Sequence, residues 1–328
     1  MATSWRGYAL AARSAGVFET LRRHLVQLRF PVQAGLSDHD AYRRATRRGD
    51  FDAADAFAPG LVLRRTDTLE LTVPSTMAGG MPVLVVGDRD DFVRLVQALT
   101  GRNEPIDVPD AMGACLVKGL NNWSRVAAYR SDWTRRTGAS DADAWAAEFQ
   151  RLIPQKALYQ DRLVILSRGP YSATPADAVG LPQDEWLDRS LAIRREHEVV
   201  HGFTYRIFGT MRSHVVDELV ADFIGLARTF GGYRSDLAKR FLGLEAFPHY
   251  RVGGRLEHYR GDLSEEAFAM VQALAARGAD NLEALAAAGL PAADDLDGFG
   301  RLTLGLVTLT IEELASDQLS ALAAGQAP

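Results

Sequence analysis

Residues 193–225 read IRREHEVVHGFTYRIFGTMRSHVVDELVADFIG, and their spacing points to two consecutive helices that carry the chemistry of the chain. Within HEVVH, His197 and His201 are four residues apart. On a helix that interval places them one turn above each other on one face, able to present two imidazole nitrogens to a single ion. Glu198 projects about 100° round the helix from His197. That offset suits a carboxylate that contacts a metal-activated water and takes its proton without itself being a ligand. Two histidines do not complete a zinc site, and DELVADFIG (217–225) offers Glu218 as the third ligand. Asp222, one helical turn beyond it, can accept the free ring N–H of a liganding histidine and so fix its tautomer. Ile193, Val200 and Thr204 share the histidine face, which sets the ligands at the edge of an apolar core. The competing reading is packing, with the histidines buried on an amphipathic helix and Glu218 and Asp222 on a solvated face.

Composition narrows the alternatives. The chain has 328 residues, 47% of them hydrophobic, enough for one large or two ordinary domains with a real core. A single cysteine, Cys115, excludes an intrachain disulfide and a thiolate-rich metal cluster, so a metal must be held by histidine and carboxylate. Cys115 itself reads as a small hydrophobe. Net charge is −5 with arginine and acid interspersed, so nucleic acid is not an expected partner. No apolar run resembles a signal-peptide core or approaches the ~18 residues of a membrane span. A soluble cytoplasmic protein of unknown oligomeric state is expected.

Working outward, the periodicity predicts a helix over 16–28, a second starting near Ser37, short strands over 69–73 and 82–86, and a helix over 90–99. Residues 101–123, rich in Pro, Gly and Asn, read as an ordered loop in which Asn121, Asn122 and Trp123 form a turn or a specificity wall. A helix over 133–152 precedes RLVILS (162–167), the clearest strand. From Glu185 onward the pattern is helical: 185–208, 215–230, 264–277, 282–288 and 302–315.

HEVVH followed by DELVAD resembles the gluzincin metallopeptidases of thermolysin type. In that family HExxH supplies two zinc ligands, and ExxxD on the next long helix supplies the third ligand and an orienting aspartate. The resemblance covers about residues 190–226. It implies one zinc ion held by His197, His201 and Glu218, with Glu198 as general base and Asp222 behind a ligand. The longer string 193–225 is also similar to a group of uncharacterised bacterial proteins. The linker between the two motifs is shorter than in thermolysin, and the side chains that polarise the substrate carbonyl there have no counterpart in it. Tyr205, a turn beyond His201, and His214 are the candidates for that role, each with a packing or helix-terminal alternative. Arg212 could bind a substrate carboxylate. The strand 163–167 stands where zincins keep an edge strand that pairs with substrate, or is an ordinary internal strand. His249 and His258 carry no assignment.

The expected fold class is therefore α+β, with a mixed α/β region and small sheet over 1–155 and a mainly helical, zincin-like catalytic region over 156–328, either as separate units or as one compact unit. The expected function is a zinc-dependent hydrolase of a peptide or small amide. The alternatives are a mononuclear iron(II) oxygenase, since two histidines and a carboxylate with open positions also suit iron, and a non-catalytic protein with a structural zinc, which a fourth protein ligand would close.

Overall fold

A computed structural model describes residues 2–110, 112–211, 214–319 and 321. It is a mixed α+β protein in two compact units: Met1–Pro74 with Gly80–Ser167, and Ser75–Gly79 with Arg168–Pro328.

The first unit begins with helices α1 (Ala2–Ala15), α2 (Val17–His24) and α3 (Asp40–Arg48). Strand β1 (Glu70–Thr72) follows, and strand β4 (Val83–Val86) comes after a short pair, β2 (Ser75–Thr76) with β3 (Gly79–Gly80), of which residues 75–79 belong to the second unit. Helix α4 (Arg89–Leu99), strand β5 (Ala114–Asn121), helices α5 (Trp123–Thr137) and α6 (Ala142–Leu152) and strand β6 (Gln160–Ser167) complete it. The sheet order is β1-β4-β6-β5. β4 and β6 run parallel, with Leu84 opposite Ile165, and the outer strands pair antiparallel to them. β6 is thus an interior strand, flanked on both edges. Leu163, Val164, Ile165 and Leu166 are completely buried, which explains an apolar run without alternation. The edge-strand reading of 163–167 is corrected by this pairing: the ladder groups that a substrate strand would need are bonded to β4 and β5.

Several other expectations change. The region 101–123 is a loop only as far as Gly113, because Ala114–Asn121 forms β5. Asn122 caps α5, its side chain accepting from Arg125 N at 3.2 Å. The helix expected over 133–152 is two helices, separated where Gly138 takes a left-handed conformation after α5. α3 begins at Asp40 with His39 as its cap; Ser37 lies in a preceding 3₁₀ turn, where its backbone N–H is bound by Glu104 at 2.7 Å.

The second unit is built round α8 (His214–Phe230), packed beside α7 (Gln183–Phe208). Every residue of α8 from Val216 to Ala227 is buried, as expected for a helix enclosed by others rather than one with a wet face. Helices α9 (Ser235–Leu242), α10 (Glu265–Ala288) and α11 (Leu296–Val307) pack on it, and α12 (Ile311–Leu314) packs on α10. The two predicted helices 264–277 and 282–288 are one continuous α10, and the helix predicted over 302–315 is α11 and α12. α7 and α8 approach closely at Gly225, where a Cβ would lie 3.1 Å from the Ile193 carbonyl oxygen. A buried pair, Arg228 Nε to Glu196 Oε2 at 2.7 Å, pins the same two helices beside the histidine motif. No helix among the described residues is long and apolar enough to cross a membrane.

Candidate metal centre

α7 carries His197 and His201 and α8 carries Glu218, so the close packing of two helices brings together three side chains that could hold one metal ion. Their candidate ligand atoms all lie within 4.8 Å of one another. His197 Nε2 and His201 Nε2 are 2.9 Å apart, and they stand 3.3 and 3.2 Å from the two Glu218 oxygens. A tetrahedral ion with ligands at about 2.0–2.1 Å has ligand–ligand edges of about 3.3 Å. The triangle is therefore of the size that one such ion requires. His197, Glu198, His201 and Glu218 keep between 7% and 9% of their surface, whereas Asp222 keeps none. The ligand side of the site reaches solvent and its back is sealed.

The hydrogen bonds behind His197 decide which ring nitrogen is available. Arg255 Nη1 donates to the Tyr171 hydroxyl at 3.1 Å, and Arg255 Nη2 donates to Asp222. The Tyr171 hydroxyl in turn donates to Asp222 Oδ1 at 2.6 Å. Asp222 Oδ1 and the Tyr171 oxygen lie 3.0 and 2.9 Å from His197 Nδ1. With the guanidinium and phenol protons committed, the remaining hydrogen is the one on Nδ1. The Nε2 lone pair is then left facing His201 and Glu218. Once His197 gives up its second proton, two imidazole lone pairs and a carboxylate converge on one point, a donor set that suits a cation.

α7 also places Tyr171. Ser190 Oγ accepts from Tyr171 N at 2.9 Å, and Arg194 donates to the Pro170 carbonyl at 2.6 Å, so residues 190, 194 and 197 on one helix stripe hold the tyrosine and its histidine partner. Ser172 and Ala173 follow with φ of 49° and 53°, a left-handed pair of non-glycine residues of the kind that the surroundings must impose. His201 is held differently. Its buried Nδ1 has no hydrogen-bond partner among the described residues, so its orientation comes from the helix and from packing.

The charges agree with this arrangement. Burial opposes ionisation of Glu218, but charge on His197 and hydrogen bonds from both imidazoles hold its carboxyl well below the usual range. Burial likewise opposes the charge on Asp222, and Arg255 first, then His197, keeps it ionised. His197 shows the same contest: burial disfavours its charge, yet Glu218 and Asp222 raise it to about 10. In the metal-free chain this proton supplies the positive charge that the carboxylates attract. A metal must displace it, so zinc affinity is expected to fall by about tenfold per pH unit on acidifying below that value. Calorimetric zinc titrations near neutral pH, in buffers of different ionisation heat, are expected to show close to one proton released per zinc; no release would contradict the assignment.

A family profile matches residues 1–318, nearly the whole chain. The chain belongs to a family of unknown function, DUF7005. No curated protein and no solved structure matches it.

In the DUF7005 chain, then, the ligand triad and Asp222 come together as their spacing indicates, and the other sequence candidates are more scattered. Tyr205 is partly buried on α7 beyond His201, and His214 is exposed at the start of α8. Arg212 lies outside the described residues. His249 and His258 are exposed. The side chains of that region that reach the triad are instead Arg255 and Tyr259, at the two ends of a 3₁₀ turn (Arg255–Tyr259) anchored by the fully buried Leu256. Tyr259 sits against Glu218; burial first, and then the Glu218 charge and hydrogen bond, hold its phenol protonated far above the ordinary value. Sequence reasoning missed Tyr171, Arg255 and Tyr259. The only signal was a Gly- and Tyr-containing loop, YRVGGRLEHYR (250–260), which marks a turn and not its target.

Asp222 offers a direct test. Asp222→Asn keeps the shape but removes the charge that holds the His197 tautomer. Zinc affinity is expected to fall by about 10–100-fold, measured by competition with a chromophoric chelator. An unchanged affinity would mean that Asp222 serves packing alone.

Proposed function

We propose that the DUF7005 chain is a zinc-dependent hydrolase of amide bonds, acting on a peptide or a small amide, with one zinc ion held by His197, His201 and Glu218. The observation that carries this reading is the hydrogen-bonded support behind His197 Nδ1, which leaves Nε2 as the nitrogen facing His201 and Glu218. Asp222, Tyr171 and Arg255 form a three-residue support behind one side of a compact His-His-Glu triangle, while the opposite side retains solvent access. A zinc ion in a set of three protein ligands lowers the pKa of a water toward neutrality and polarises a carbonyl.

The chain's own residues divide the remaining work. Glu198, next to the ligand His197 on α7, takes the proton of the attacking water and passes it to the leaving amine. Tyr259, whose phenol proton is held by Glu218 in the metal-free chain, would turn that proton from the carboxylate to the developing oxyanion; Tyr205 on α7 is the alternative donor. Arg255 stays committed to Asp222 and Tyr171, positioning the histidine without touching the substrate.

The zinc-loaded chain should be profiled against libraries of peptides and N-acyl amides. The expected result is hydrolysis that stops on chelation and returns with zinc. Turnover that requires dioxygen and iron would replace this reading with an oxygenase. A stoichiometric zinc with no turnover of any amide would favour a structural ion.

A further inference from the structure

We propose that the N-terminal unit binds a small molecule carrying a di- or triphosphate group, in a cavity of about 400 Å³ lined by Tyr42, Arg43, Arg47, Arg102, Lys118 and Asn121, among others. That volume lies within the range of small-ligand sites. Four cationic side chains line it, and no carboxylate is among its lining residues. Two acids of the same region are engaged elsewhere or with one of these cations. Asp38 pairs with Arg43, and Glu104 accepts the backbone N–H groups of Gly35 and Ser37 at 2.8 and 2.7 Å. Among the described residues, Arg47 and Arg102 have no carboxylate within ion-pair distance.

Three separate backbone devices bring these cations to one place. On α3, Arg43 and Arg47 are one helical turn apart and share a face. In β5 the register shifts between Val117 and Leu120, with Gly119 at φ +74°, so a bulge re-aims Lys118. After α4 the chain turns through Arg102 and Asn103 at φ 57° and 60°, a left-handed pair without glycine. Asn103 is completely buried and holds that turn. Its Nδ2 donates to the carbonyls of Gln27, Phe30 and Pro31 at 3.0, 3.1 and 3.2 Å, and its Oδ1 accepts from the Tyr42 hydroxyl at 3.1 Å. The same asparagine therefore sets Arg102 and the Tyr42 wall. Asn121 ties β5 to α3 by donating to the Thr46 carbonyl at 3.1 Å. Guanidinium groups in fixed directions with a lysine beside them match the oxygens of linked phosphates, which can be bound at several points at once. Scattered surface arginines would need none of this support.

The test is calorimetry on the full chain with tripolyphosphate as probe, at about 150 mM salt so that diffuse attraction is screened. One equivalent is expected to bind. Arg102→Gly should weaken binding by about tenfold while the melting temperature holds or rises, because glycine accepts the left-handed turn without strain. Arg47→Glu should weaken it at least as much, and Arg13→Glu, a charge reversal on the exposed face of α1, should not. Pyrophosphate and ADP then identify the source: tighter ADP binding points to a nucleotide, and equal binding to the inorganic chain, either one supporting the site. Absence of saturable binding, or equal losses from Arg13→Glu and Arg102→Gly, would overturn the proposal.

Discussion

Glu218→Gln is expected to take the purified protein from one bound zinc per chain to none. The substitution keeps size and hydrogen-bonding capacity, so α8 still packs, but the amide is a poor ligand and carries no charge. His197 and His201 would then face each other at 2.9 Å with only a proton between them. Losing one of three protein ligands should weaken zinc binding by on the order of a thousandfold or more. The effect extends to stability. A ligand present at a hundred times its dissociation constant stabilises the fold by about 2.7 kcal/mol. The wild-type chain should therefore melt at a lower temperature after chelation, and the variant should not respond to chelator. Elemental analysis and paired melting curves check both halves. A variant that retains stoichiometric zinc would remove Glu218 from the ligand set.

Glu198→Gln should produce the opposite pattern. Glu198 is buried one residue along from a ligand, and the proposed chemistry assigns it proton transfer and no coordination. The variant should load one zinc, melt like the wild type and respond to chelator in the same way. Hydrolysis should fall by about 10²–10⁴-fold, the usual contribution of a positioned general base. Loss of zinc in this variant would make Glu198 a ligand. Retained turnover would remove the proton-transfer role while leaving the metal site intact. The two variants thus separate binding from chemistry even before the natural substrate is found, provided that one hydrolysable amide is in hand.

The parts of the site that were legible in the sequence are those whose geometry is local. His197 with His201, and Glu218 with Asp222, are each separated by one helical turn, and helical regularity turns that spacing into a shared face. The support from Tyr171 and Arg255 could not be read that way. Both lie in loops outside the two motif helices, and what aims them is tertiary: Ser190 and Arg194 hold the backbone beside one, and buried Leu256 anchors the turn of the other. The same division runs through the fold. β6 was plain because an interior strand needs apolar residues on both faces. β5 was hidden because its bulge at Lys118–Gly119 and its asparagine-rich end carry loop-like residues in a paired strand. α5 and α6 merged in the periodicity because each is helical up to a break that depends on the left-handed Gly138.

The metal content and coordination of the protein, purified without chelator and dialysed against zinc, decide whether His197, His201 and Glu218 hold an ion. One zinc per chain is expected, with an absorption-edge spectrum fitted by two nitrogen ligands and carboxylate and water oxygens at about 2.0–2.2 Å. Zinc that stays below a tenth of an equivalent, or binds undiminished when His197 and His201 are both replaced by alanine, would contradict it.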